Sequence, residues 1–154
     1  MKKLLLPFSA VLVLWFVSVD KLIAQKDQLE KTWLTNGAAS KIQMYKGTDG
    51  LFYGKLTWIK EPIDKKTGKP ACDLENPDEN LRNKPLLGLV IMTGFKKNPE
   101  KNGEYIDGRI YDPSRGHTYC AKITYKGTFL DLRGYICHLS FLGRTEVWTL
   151  TDDQ

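Results

Sequence analysis

The stretch HTYCAKITYKGTFLDLRGYIC (His117–Cys137) decides the class of fold. Apolar residues recur at every second position on each side of Lys126-Gly127. That period is the signature of a half-buried strand, and a two-residue glycine turn between two such runs predicts a tight hairpin. Tyr125 would then face Thr128. One face carries Tyr119, Ala121, Ile123, Tyr125, Leu130, Leu132 and Ile136 and is expected to point inward. The other carries Cys120, Lys122, Thr124, Asp131, Arg133, Tyr135 and Cys137, with Arg133 outside beside Asp131 and Lys122.

The same rhythm continues in both directions. Ser40–Lys46 alternates Ile42 and Met44 against Lys41 and Gln43, and Gly47-Thr48-Asp49-Gly50 is a turn. Leu51–Ile59 sets Phe52, Leu56 and Trp58 on one face. Leu86–Phe95 is a continuous apolar run, read as a strand buried on both sides. Tyr105–Tyr111 alternates through Ile106 and Ile110, and Arg144–Leu150 makes the last strand. Only Lys26–Thr32 offers a helical turn. Seven or eight short antiparallel strands indicate an all-β barrel or sandwich, and closure into a barrel also removes exposed edges.

One segment breaks the rhythm. Lys60–Pro85 is 26 residues of lysine, aspartate, asparagine, proline and glycine. Loops this long inside a compact domain are usually functional lids or inserts. Its middle is expected to hold a turn and a short helical piece ending near Arg82.

The chain opens with a basic Lys2-Lys3 pair and an apolar run from Leu4 to Val19, with Ala24 before Gln25. This order predicts a cleaved secretory signal peptide over residues 1–24, because the apolar run is shorter than the ~20 residues a membrane span needs. A single domain, 25–154, would remain, exported to the periplasm or secreted. Loss of three lysines and one aspartate lowers the formal charge from +5 to +3. No basic stripe with interleaved aromatics is present, so nucleic acid is not an expected partner. No membrane segment is expected after processing.

The chemistry-bearing residues are few. Asp73, Glu75, Asn76 and Asp78 crowd the long loop, but their spacing is not that of a calcium loop. Two histidines and three cysteines without paired metal-ligand spacing argue against zinc. Cys137 and His138 are neighbours and point to opposite faces, and parity also separates Cys137 from His117. No catalytic constellation, metal site or cofactor is therefore expected. Cys120 and Cys137 share a face, yet in the expected register they are staggered by about 13 Å, beyond the ~7 Å a disulfide tolerates. A loop that shifted the register would bring them diagonal, so the bond is disfavoured rather than excluded.

Three blocks, DLENPDENLRNKPLLGL (Asp73–Leu89), DGRIYDPSRGHTYCAKI (Asp107–Ile123) and LRGYICHLSFLGRTEVW (Leu132–Trp148), together with Trp33, resemble the bacterial family catalogued as domain of unknown function 2147. Asp73, Asn76, Arg82, Asp112, Pro113, Arg133, Tyr135 and Arg144 are the structural motif positions within them. Cys137-His138 and the Trp148-Thr149-Leu150 end depart from the family's pattern. The resemblance implies an exported, lipocalin-like (calycin-type) up-and-down barrel of about eight strands. It also implies that Arg144 covers Trp33 and closes the base, next to Trp148. Arg133, on the outer face, is read from its neighbours as a surface or loop anchor that grips the long segment through Asp73 or Asp78, with ligand binding as the alternative.

A barrel of this size can hold one small ligand. The expected lining is Met44, Phe52, Leu56, Trp58, Ile110, Tyr119, Tyr125 and Trp148, which would suit a small hydrophobic molecule beneath the 60–85 loop. The competing expectation is a filled barrel that serves as an envelope interaction or stress protein. No protein partner can be named.

Overall fold

The computed structural model describes residues 25–151; the expected leader, residues 1–24, lies outside them. Eight strands, β1 (Thr32–Leu34), β2 (Ser40–Lys46), β3 (Phe52–Ile59), β4 (Val90–Lys97), β5 (Glu104–Asp112), β6 (His117–Tyr125), β7 (Phe129–Ile136) and β8 (Leu139–Leu150), follow in chain order. Each pairs antiparallel with the next. β8 returns to β1 through Trp33↔Leu150 and closes the barrel. This is the all-β up-and-down barrel expected. Connections β1–β2, β3–β4, β5–β6 and β7–β8 gather at one end, the mouth. The other three, and the segment before β1, gather at the base.

The lower barrel is packed solid. Trp33, Met44, Phe52, Phe95, Tyr105, Ile123, Leu130 and Trp148 are buried together. Gly108 makes room for this packing, since a Cβ there would lie 2.3 Å from the Phe95 ring. The stretch expected as a helical turn, Lys26–Thr32, runs instead through a turn at Gln28-Leu29 into β1, and it plugs the base. Leu29 is fully buried, and its carbonyl accepts a hydrogen bond from Trp33 Nε1 at 3.1 Å. Tyr105 donates its hydroxyl to Asp27, which also pairs with Lys97.

That plug corrects the closure expected from Arg144. Arg144 faces Gly134, while the β1 partner of Trp33 is Leu150, six residues further along β8. Arg144 therefore belongs to the mouth. At the base the Tyr125 ring meets Trp33 edge-on at 6.0 Å, and the Lys31 ammonium lies 5.8 Å from the Tyr125 ring.

Bulges explain the other departures. Ile42 pairs with Leu56 and Lys41 with Trp58, so Thr57 is an extra residue. An extra residue switches the face of everything beyond it, and Trp58 lands outside the barrel, 40% exposed. In β4, Ile91 is extra between Gly54↔Met92 and Lys55↔Val90. Ile91 and Met92 are both buried while Val90 is exposed, so the apolar run is not a strand buried on both faces. A shift between Tyr105 and Gly108 in β5 sends Tyr105 inward in place of Ile106.

The β6–β7 hairpin has a longer loop than Lys126-Gly127 alone suggests. Tyr125 pairs with Leu130, not Thr128, and Cys120 with Tyr135. This is the register shift that brings Cys120 and Cys137 together. They are disulfide-bonded, with Cα atoms 5.1 Å apart, on the outer face. Arg133 is also corrected. Its guanidinium donates to Ser140 O at 2.9 Å and Thr145 Oγ1 at 3.4 Å, and does not reach the long loop.

Candidate functional site

Above the packed layer the barrel is hollow. A cavity of about 590 Å³ occupies the mouth. Ile91, Ile110, Tyr119 and Leu132 form its apolar wall, and Gly134 leaves space where a side chain would stand. A Cβ built at Gly134 meets only Ile110 Cγ2, at 3.8 Å. Thr35, Asn36 and Ser40 supply polar atoms from the β1–β2 side, and Ile136, Leu142 and Gly143 complete the β7–β8 side.

The rim carries two charge pairs. Arg115 Nη1 lies 2.8 Å from Asp112 Oδ2, within a turn that Pro113 initiates and Asp112 ties by accepting from Ser114 N and Oγ. Burial alone would raise the Asp112 pKa. The hydrogen bonds from Ser114 and Arg115 outweigh it and hold the carboxyl below its usual range. Also at the mouth, Arg144 pairs with Glu146, which raises the guanidinium's pKa further. The mouth thus offers two cations and two anions above an apolar well.

The long loop is held beside this cavity. Asp73 is fully buried and accepts from the Tyr111 hydroxyl at 2.8 Å and from Asn76 Nδ2 at 2.7 Å. Arg82 Nε donates to Asn76 O at 2.8 Å, at the end of a 3₁₀ turn (Glu79–Leu81) whose N-cap is Asp78. The short helical piece therefore falls where expected. Gly116 lets the loop touch the β5–β6 turn, since a Cβ there would sit 1.9 Å from Glu75 O. Tyr111 lines the cavity with one side and tethers Asp73 with its hydroxyl. Burial first, and then the adjacent Asp73, push its pKa up to about 12. No residue of 60–85 lines the cavity among those described, so the loop flanks the site instead of roofing it.

Of the eight residues expected to line a pocket, Ile110 and Tyr119 do so. Met44, Phe52, Leu56 and Trp148 are buried in the packed lower core, Tyr125 lies against Trp33, and Trp58 is outside. Of the motif residues, Asp112, Pro113, Tyr135 and Arg144 reach the cavity rim. Asp73, Asn76 and Arg82 organise the long loop, and Trp33 sits at the base. Sequence reasoning missed Ile91, Gly134, Arg115 and Glu146, and it placed Leu132 on the inward face without assigning it to the pocket. Gly134 had a signal: glycine inside a strand often marks space or close approach.

A closed eight-stranded antiparallel barrel, plugged at the base and hollow at the mouth, is the architecture of the lipocalin-like class. The chain belongs to the family described as "Uncharacterized protein conserved in bacteria (DUF2147)", whose model matches residues 31–150. Among solved structures it is similar to protein HP1028 from the human pathogen Helicobacter pylori, described as belonging to the lipocalin family. The TM-score is 0.67 at 22% identity, over 81% of this chain and 84% of that one. At that identity the likeness speaks to fold alone. No curated protein matches the sequence.

Proposed function

We propose that the protein binds one small, largely apolar molecule in the mouth cavity and is not a catalyst. The observation that carries this reading is the cavity itself: about 590 Å³, walled by Ile91, Ile110, Tyr119 and Leu132, and rimmed by polar groups. Ligand sites for small molecules are commonly clefts of roughly 300–1,000 Å³ with apolar walls and a few orienting polar groups. The rim pairs Asp112–Arg115 and Arg144–Glu146 would hold a polar end while the apolar body lies in the well. The role is proposed to be exercised after export, in the periplasm or outside the cell. The Lys2-Lys3 and Leu4–Val19 sequence supports this, as does the Cys120–Cys137 bond, which suits an oxidising compartment.

Two measurements test the reading. Native mass spectrometry of protein purified from its own host should retain an extra mass that organic solvent removes. Gly134→Phe should enter the cavity without backbone strain and abolish uptake of a fluorescent apolar probe while the thermal midpoint stays close to wild type. Uptake unchanged in Gly134→Phe would rule out the mouth cavity as the site.

A further inference from the structure

The β7–β8 connection is built unlike the other turns. Its ladder runs to Tyr135↔Gly143 and then jumps to Ile136↔Leu139, leaving Ser140, Phe141 and Leu142 as a bulge opposite no residue of β7. Gly143 permits the crossing, because a Cβ there would lie 2.5 Å from Gly134 O and 2.6 Å from Tyr135 Cβ. Arg133 fixes the bulge through Ser140 O. The result is an apolar tip. Phe141 is 74% exposed, and Ile136, Leu139 and Leu142 are each more than 40% exposed. A contiguous apolar patch left in water contributes nothing to folding and commonly marks an interaction site.

Two further features say what covers it. Ile136 and Leu142 also line the cavity, so patch and well form one continuous apolar surface. Between Leu132 and Thr145 the chain carries Arg133 and Arg144 and no carboxylate, and Arg144 is paired with Glu146 just beyond this stretch, which leaves Arg133 as its uncompensated cation. Among the described residues Arg133 donates only to neutral groups. We propose that this hairpin docks on an anionic lipid surface, with Phe141 and Leu142 entering the boundary between headgroups and acyl chains and the Arg133 guanidinium, bonded only to neutral groups, meeting lipid phosphates. Apolar residues beside cations bind such surfaces by adding buried apolar area to electrostatic attraction. A second copy is the weaker occupant, because a twofold contact through the tip would bring like-charged arginines together.

The test is flotation of the protein, as isolated from its host, with vesicles of phosphatidylcholine alone or mixed with phosphatidylglycerol. Binding is expected with phosphatidylglycerol and should fall as salt rises. Phe141→Asp should weaken it about tenfold or more, since it replaces a burying ring with a charge. Because Phe141 is exposed, the variant should keep its thermal midpoint and its uptake of the apolar probe, which separates this inference from the cavity reading. The inference is overturned if wild type floats with neither vesicle, if Phe141→Asp floats equally well, or if sedimentation shows a dimer that Phe141→Asp dissolves.

Discussion

Replacing Cys120 and Cys137 together by serine should cost the barrel about 3 kcal/mol. The bond closes a loop between residues 17 positions apart. In the chain-entropy account, cross-linking a loop of roughly that length removes about 10 cal/mol/K from the unfolded ensemble, or about 3 kcal/mol at 25 °C. The native side should add little strain on removal, because the bond lies on the outer face and leaves the core pairs Ala121–Gly134 and Ile123–Leu132 untouched. With a urea slope of about 1.5 kcal/mol/M for a domain this size, the midpoint should fall by about 2 M. The assay is urea unfolding followed by tryptophan fluorescence, with reductant present throughout for the double variant so that Cys72 stays reduced. Oxidised wild type is the reference, and reduced wild type should superimpose on the variant. A midpoint within about 0.3 M of oxidised wild type would refute the entropy argument for this bond.

Three further outcomes follow from other sites. Tyr111→Phe leaves the buried Asp73 with Asn76 as its remaining side-chain donor, and should cost about 1–3 kcal/mol in the same urea assay while exposing the 60–85 segment to protease. Tyr111 has a folded pKa raised to about 12 from an ordinary 10, so its contribution is intact below pH 10 and is lost as pH rises from 10 through about 12. Alkaline unfolding of Tyr111→Phe should therefore be shallower over that window, though not flat, because the Tyr105 hydroxyl is raised as well, by burial and Asp27. Gly108→Ala drives a methyl into the Phe95 ring and should destabilise by about 1–3 kcal/mol, read as a lowered thermal midpoint.

The barrel was legible because its signal is periodic. Met44, Phe52, Leu56, Ala121, Ile123, Leu130 and Leu132 all alternate as a strand should, and all are buried. What escaped was anything set by one or two inserted residues. The extra Thr57 turned Trp58 out, the extra Ile91 broke the run in β4, and a slightly longer loop after Tyr125 moved Cys120 beside Cys137. Such insertions leave no mark on composition and only a phase change in the pattern, which six or eight residues are too few to reveal. The site was less legible still. A cavity is defined by where side chains stop, and the difference between Phe52, which fills the core, and Ile110, which borders the well, is one of height along the barrel. That height depends on which end is plugged, and the plug is Leu29, a residue before the first strand.

The pairing of Trp33 with Leu150 also governs how the chain must reach its final form. All other paired strands are consecutive in the chain, and all but β3 and β4, which the long loop separates, can zip locally, but this seam joins the opposite ends of the described chain. Until β8 has been made, β1 and β7 both present unpaired edges, and the wall cannot shut. Contacts of such long sequence separation are expected to slow folding and to leave edges open to aggregation meanwhile. A ribosome-bound chain truncated before Leu139 should therefore remain open-edged and readily unfolded, and should gain resistance to protease only once β8 has sealed the seam.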